Sequence, residues 1–193
     1  MSMAERNLNR ASKFISLILR HKPEVANITL DKHGWADVKE LLIATKLTQD
    51  ELDEIVSTDN KQRYSYNLGK TKIRANQGHS IDVDLEFKEA MPPCKLYHGT
   101  VYKNIESIFN TGLNKQSRQY VHLSSNIETA ISVGKRRGNP VVLEINTEDM
   151  IKDGYKFYIS ENKVWLTDNV PAKYIKITYD LKDTGHIEKE RNT

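Results

Sequence analysis

The sequence predicts an α+β protein built as two lobes. Three observations carry this. The first 60 or so residues hold helical periodicity and helix-start signals, and two strand-like runs follow them. Beyond residue 94, short strand-like runs alternate with two helical stretches. Between the two regions stands Pro92-Pro93, after an acidic and irregular run over residues 82–90. Proline removes a backbone donor and drives its predecessor toward extended geometry, so the boundary falls there. It gives lobes of residues 1–91 and 92–193, about 90 and 100 residues, at the small end of domain sizes.

The first lobe opens with a helix. Ala11, Phe14, Ile15 and Ile18 recur at i, i+3, i+4 and i+7, which predicts one buried face. Arg20 and His21 close that helix beside the stripe, and Pro23 stops it. ITL, the turn-like DKHG and the WA pair predict a short strand and a turn. Asp37 is placed to cap a helix through VKELLIATK, and Thr48 with Glu51 forms a capping box for a third. QRYSYNL and KTKIRA, separated by Gly69, predict a hairpin. Three helices followed by a hairpin is the order of a winged helix.

In the second lobe KLYHGT reads as a strand, IESIFNTG as a helix ended by Gly112, YVHLSS as a strand and IETAISVGKRRG as a helix with a basic end. PVVLEIN, KFYIS, KVWLT and YIKITYDL are further strands, giving a β-rich sandwich with flanking helices. The tail beyond Asp183 is polar and is expected to fray.

Composition removes several function classes. No run approaches the roughly 18 apolar residues of a membrane helix, and the apolar cluster over 14–19 lacks a cleavage site after it, so neither a membrane span nor a secretory leader is expected. One cysteine, Cys94, excludes an intrachain disulfide and a Cys-rich zinc site, and a cytoplasmic setting fits. No HExxH or comparable ligand spacing points to a metal, and no GxSxG elbow, P-loop or GxGxxG appears. The net charge of +3, from 29 basic and 26 acidic residues, is too mild to imply nucleic acid by itself.

The placement of charge says more. Arg20-His21 puts two adjacent donors at a partly buried helix end, which suits an anion, although a solvated helix end is the commoner meaning of such a pair. The run RANQGHSI, 74–81, reads as an ordinary turn or as an arginine-led phosphate loop. His98-Gly99-Thr100 ends an apolar strand with a glycine that would let a ligand approach the backbone. His122 and Ser124 share one face of a strand, opposite Val121 and Leu123. Lys135-Arg136-Arg137 is a solvated basic helix end or a phosphate contact.

Taken in order, SKFISLILRHKPE, LDKHGWADVKELL, IRANQGHSI, LYHGT, VHLSS, VGKRRGNPVVLEI, DGYKFYIS and VWLTDNVPAKYI resemble the RNA 2'-phosphotransferase family, also called tRNA 2'-phosphotransferase, over residues 8–177. The resemblance implies a winged-helix lobe followed by a lobe with the ADP-ribosyltransferase fold. It implies removal of an internal 2'-phosphate left in RNA at a splice junction, with NAD consumed as co-substrate and no metal. Nicotinamide leaves as the RNA 2'-phosphate attacks the ribose anomeric carbon, and the ribose 2″-hydroxyl then attacks phosphorus. The products are 2'-OH RNA, nicotinamide and ADP-ribose 1″,2″-cyclic phosphate.

On this resemblance Arg20, His21, Arg74 and Arg136 are the catalytic set. Guanidinium forks suit phosphate because they bind it bidentately and stay charged. His98, Gly99, Thr100, His122 and Ser124 match the NAD-binding strands, and Arg118 is assigned to the NAD phosphates. The glutamate that many ADP-ribosyltransferases carry on a later strand has an apolar counterpart near Val164. A phosphate monoester is already largely dianionic at pH 7, so it needs little help from a base. Two positions depart from the family pattern, Arg137 and Tyr120, where histidine is frequent. A monomer is expected. The alternatives are an ADP-ribosyltransferase of terminal nucleic-acid phosphates and a non-catalytic RNA-binding module.

Overall fold

A computed structural model describes residues 3–180, with side chains from residue 7 onward. The expected frayed tail lies outside the described residues. The described chain is α+β, with six α-helices and twelve short strands, and it divides into two compact units. Unit 1 takes in the chain up to Phe87 together with Ser117–Gln119 and Ser160–Asn162, and unit 2 takes in Lys88–Gln116, Tyr120–Ile159 and the chain from Lys163.

Unit 1 contains α1 (Met3–Arg20), a 3-10 turn (Pro23–Ala26), β1 (Ala36–Asp37), α2 (Val38–Thr45), α3 (Gln49–Thr58), β2 (Tyr64–Tyr66) and β3 (Lys72–Ala75). The helix starts follow the sequence signals. The Asp37 carboxylate accepts from the Glu40 N–H at 3.1 Å. Thr48 Oγ1 accepts from the Glu51 N–H at 3.2 Å while Glu51 accepts from the Thr48 N–H at 2.9 Å. Each cap contributes about 1 kcal/mol. Ile28–Leu30 forms no strand; Ile28 is instead buried from a loop, and β1 begins only at Ala36. The DKHG turn is real: Asp31 accepts from the N–H groups of His33 and Trp35, and Gly34 takes φ +77°. The three strands pair antiparallel in the order β1-β3-β2.

The α1 face needs correction. Ile15, Ile18 and Leu19 are fully buried and Ala11 is half-buried, but Phe14 is 37% exposed. The core-facing arc is centred on Ile15 rather than between Ile15 and Phe14, so the 100° step carries Phe14 off its edge. Its partners in the core include Leu41, Leu52, Ile55 and Ile73.

Unit 2 contains β4 (Lys88–Glu89), β5 (Lys95–Val101), α4 (Ile105–Thr111), β6 (Leu113–Asn114), β7 (Val121–Leu123), α5 (Ile127–Gly134), β8 (Pro140–Asn146), α6 (Thr147–Lys152), β9 (Tyr158–Ile159), β10 (Trp165–Thr167), β11 (Asn169–Val170) and β12 (Ile175–Asp180). Its strands pair as β12-β8-β5, β4-β9-β10-β7 and β11-β6. β8 is central and buried along almost its whole length, which is why PVVLEI reads as a continuous apolar run. Its one carboxylate, Glu144, is gripped from both flanking strands by Lys95 at 3.0 Å and Lys176 at 3.1 Å. Reciprocal backbone bonds of 2.8 Å between Tyr97 and Ser124 tie the end of β7 to β5. No helix among the described residues is long and apolar enough to cross a membrane.

Candidate active site

In unit 1 the end of α1 and the segment after β3 build one polar cluster. The Arg20 carbonyl accepts from the Ser80 N–H at 3.0 Å, and His21 Nδ1 lies 2.9 Å from Ser80 Oγ. Gly78, at φ +90°, lies under Arg20, since a Cβ there would stand 3.8 Å from the guanidinium carbon. These contacts fix the two residues at the helix end on the RANQGHSI segment.

Arg20 Nε and Nη2 are buried and have no hydrogen-bond partner, and the same holds for Arg74 Nε and Asn76 Oδ1. Desolvation lowers the Arg20 pKa to about 10, with Arg63 and Arg118 pushing the same way. Burial, Arg20 and Arg118 lower His21 below the ordinary histidine value. The Arg74 guanidinium stacks over Trp35, 4.5 Å from the ring centroid, and its Nη2 lies 3.5 Å from Glu161. Glu161 is 61% exposed, so solvent screens that pair and an incoming anion can replace the carboxylate.

His79 sits among these cations, 1% exposed. Burial first, then the charges of Arg20, His21 and Arg74, lower its pKa to about 4, with weak support for the proton from the Leu19 backbone. The ring is therefore neutral at pH 7. An unfolded histidine takes its proton near pH 6.5. Between that value and about 4 the unfolded state binds more protons, so this residue's contribution is lost as pH falls through the window. The loss reaches about 3 kcal/mol at most. Urea unfolding at pH 7 and pH 4.5 should show wild type losing more stability than His79→Gln. Equal losses would contradict the assignment.

A cleft of about 660 Å³ adjoins the cluster through Asn76 and Glu161, but its other walls are the end of α3 and the start of β2. The buried cationic donors without acceptors belong to Arg20 and Arg74, which do not line that cleft.

In unit 2, β5 carries His98 and the β7 end carries His122 and Ser124. His98 Nδ1 lies 3.1 Å from the His122 carbonyl, and His122 Nδ1 lies 3.0 Å from the Tyr120 carbonyl. A carbonyl only accepts, so each ring donates from Nδ1. Thr100 is buried, with its hydroxyl accepting from Asn104 at 3.1 Å. Gly99 leaves room for α5 rather than only for a ligand: a Cβ there would stand 1.8 Å from the Ala130 carbonyl oxygen. Arg136 is exposed in the turn after α5, which ends at Gly134 and not in the basic residues. The chain must turn there to enter β8 at Pro140, with Gly138 at φ +135°.

The structure thus brings Arg20, His21 and Arg74 together in unit 1, and His98, His122 and Ser124 together in unit 2. Arg118 belongs to unit 1, where its charge acts on Arg20 and His21. The sequence reading did not single out His79 or Ser80 individually and gave no role to Trp35. Trp35 meets Arg74 because β1 pairs with β3 through Ala36–Ile73, which carries residue 35 opposite residue 74. A two-residue strand has too little alternation to announce that pairing.

Guanidinium nitrogens of Arg20 and Arg74 buried without acceptors, close enough to act on the neutral His79, have the chemistry of an oxyanion-binding class of site. Residues 6–169 match the model of the family described as RNA 2'-phosphotransferase, Tpt1 / KptA family. A protein of Fusobacterium nucleatum subsp. nucleatum named "Probable RNA 2'-phosphotransferase" is 57% identical over 173 residues, covering 86% of this chain and 97% of its own. Proteins of the same name from Flavobacterium johnsoniae and Burkholderia pseudomallei are 52% and 51% identical, over 90% and 86% of this chain and 98% and 94% of theirs. The chain belongs to the RNA 2'-phosphotransferase, Tpt1 / KptA family.

Proposed function

We propose that this protein removes an internal 2'-phosphate from RNA of the tRNA splice-junction type, consuming NAD and passing through an ADP-ribosylated 2'-phosphate. The observation that carries the reading is the buried, partnerless guanidinium edge of Arg20, which acts together with Arg74 on the buried His79. A dianionic phosphate answers both the missing acceptors and the unfavourable desolvation of the cation. Arg20 and Arg74 hold the RNA phosphate, and His21, oriented by Ser80, contacts the same group. Arg136 meets the charge that grows on the phosphoryl oxygens in the second step.

For NAD the fit rests on unit 2. His98 and His122 are oriented through Nδ1 by the His122 and Tyr120 carbonyls, and Ser124 lies at the strand end beside Tyr97. NAD supplies the ribose that receives the phosphate; these residues bind and orient it. In this reading residues 1–91 form a winged-helix lobe and residues 92–193 an ADP-ribosyltransferase-like lobe, and the protein works as a cytoplasmic monomer without a metal.

The test is a 2'-phosphorylated oligonucleotide incubated with and without NAD, with product masses read out. The expected result is loss of the phosphate only with NAD, insensitive to a chelator, with nicotinamide and ADP-ribose 1″,2″-cyclic phosphate formed. Dephosphorylation without NAD would overturn the reading. An ADP-ribosylated RNA as the end product would replace it with transfer to phosphate alone.

A further inference from the structure

The corrected face of α1 leaves a second stripe unassigned. Arg10, Lys13, Phe14 and Leu17 are all exposed, with Phe14 at 37% and Leu17 at 36%. Arg10, Phe14, Leu17 and His21 recur at i, i+4, i+7 and i+11, and Lys13 lies alongside them, so the set is one strip of surface. The strip reaches the candidate phosphate site without a break, because the His21 N–H still donates to the Leu17 carbonyl at 3.0 Å in helical fashion. Between Asn7 and Lys22 there is no Asp or Glu; the nearest acidic residue in the following turn is Glu24. The opposite side of the helix is occupied by the core through Ile15, Ile18 and Leu19, so packing of unit 1 does not account for the exposed pair Phe14 and Leu17.

We infer that this strip of α1 is a docking surface for the single-stranded RNA that flanks the 2'-phosphate, with Phe14 as a stacking platform and Arg10 and Lys13 as backbone phosphate contacts. The inference rests on the phosphotransferase reading, and continuity selects the occupant. A polynucleotide whose 2'-phosphate is seated at Arg20 and His21 must leave across neighbouring surface, and this strip is continuous with that seat. Its chemistry is that of sequence-tolerant single-strand binding, in which cations track the backbone and an aromatic face accepts whichever base arrives. The seven-residue step from Phe14 to His21 spans about 10 Å of helix axis. At roughly 3.4 Å per stacked nucleotide that is about three nucleotides. Substrate length beyond the phosphorylated nucleotide should therefore matter, and base identity should matter little.

The test compares a 2'-phosphorylated dinucleotide with a single-stranded decanucleotide carrying the same modified nucleotide centrally, at saturating NAD. Wild type should show a KM for the decanucleotide at least several-fold below that for the dinucleotide. Phe14→Ala should raise the decanucleotide KM by about tenfold, within the range of one lost stacking contact. It should leave the dinucleotide KM and both kcat values within about twofold. The Arg10→Ala/Lys13→Ala pair should flatten the salt dependence of the decanucleotide log KM by roughly 1.4, the slope of two single-strand phosphate contacts. Equal effects on both substrates, or no length dependence in wild type, overturn the inference. Absence of turnover of either substrate overturns the phosphotransferase reading instead. Anisotropy with an unphosphorylated decanucleotide then still decides the strip: binding weakened by the same variants supports it, and binding unchanged by them, or no binding, refutes it.

Discussion

Arg20→Met should abolish turnover while leaving the protein at least as stable as wild type. The two halves of this expectation come from the same atoms. Arg20 Nε and Nη2 are buried without partners, and burial lowers the pKa to about 10. The folded protein therefore bears the desolvation of a cation that the charges of Tyr64 and Asp59 offset only in part. Replacing such a group by an apolar side chain of similar length is often neutral or stabilising. Catalysis moves the other way. Losing one well-placed donor at a centre of developing charge costs about 10²–10³ in rate, and a guanidinium fork supplies two, so a fall of about 10³ or more is expected. Arg20→Lys should rescue little, because an ammonium is a point charge that cannot present two parallel donors. The measurements are NAD-dependent dephosphorylation of a 2'-phosphorylated oligonucleotide and thermal unfolding of the same preparations. A variant that unfolds several degrees below wild type would show that the guanidinium serves the fold and is not reserved for a ligand.

That separation between stability and function also explains which parts of the site were legible in the sequence. Arg20 and His21 could be found because they close a helix whose periodicity is strong, and the caps at Asp37 and Thr48 depend only on residues three apart. Arg74 was visible at the end of an alternating strand. Its setting was not, since Trp35 and Glu161 reach it through contacts 39 and 87 residues distant in sequence. His79 was visible only as one polar residue in a loop, and its burial near Arg20, His21 and Arg74 comes from tertiary packing that no local pattern encodes. The same limit produced the errors. Two-residue strands such as β1, β4, β6 and β11 are shorter than one full alternation, and α6 spans only Thr147–Lys152 directly after β8, so neither period had room to develop. Phe14 was misplaced by a single helical step, and that step is what exposes the basic strip of α1.

Gly99→Ala should be the most damaging small substitution in unit 2. The sequence offers a ligand-approach glycine, as HGT suggests, but the backbone of α5 already occupies the space. A Cβ on Gly99 would stand 1.8 Å from the Ala130 carbonyl oxygen, 2.7 Å from its carbon and 3.0 Å from the Gly134 nitrogen. All three are backbone atoms, so no side-chain rotation relieves the clash and the helix itself must move by more than an ångström. Gly134 makes the same close approach from the helix side, since a Cβ there would meet the Thr100 carbonyl oxygen at 2.8 Å and Pro140 Cβ at 2.9 Å. β5 and α5 are therefore locked by two glycines facing each other's backbone, and β8 packs against both. Overpacking of a tight core costs about 1–3 kcal/mol and sometimes more; with rigid backbone on the receiving side, about 3 kcal/mol or more is expected. For a unit of about 100 residues that lowers Tm by on the order of 10–20 °C. The shift of α5 would also displace the turn that carries Arg136 and the strand that carries His98, so NAD-dependent turnover should fall with it. Gly154→Ala is the control: Gly154 has φ +87° but nothing within 4 Å of its Cβ position, so it should lose only the roughly 1 kcal/mol of an unfavourable backbone region. Thermal unfolding of the two variants side by side decides the matter. A Gly99→Ala protein no less stable than Gly154→Ala would mean that α5 does not lie on β5 as closely as these distances require.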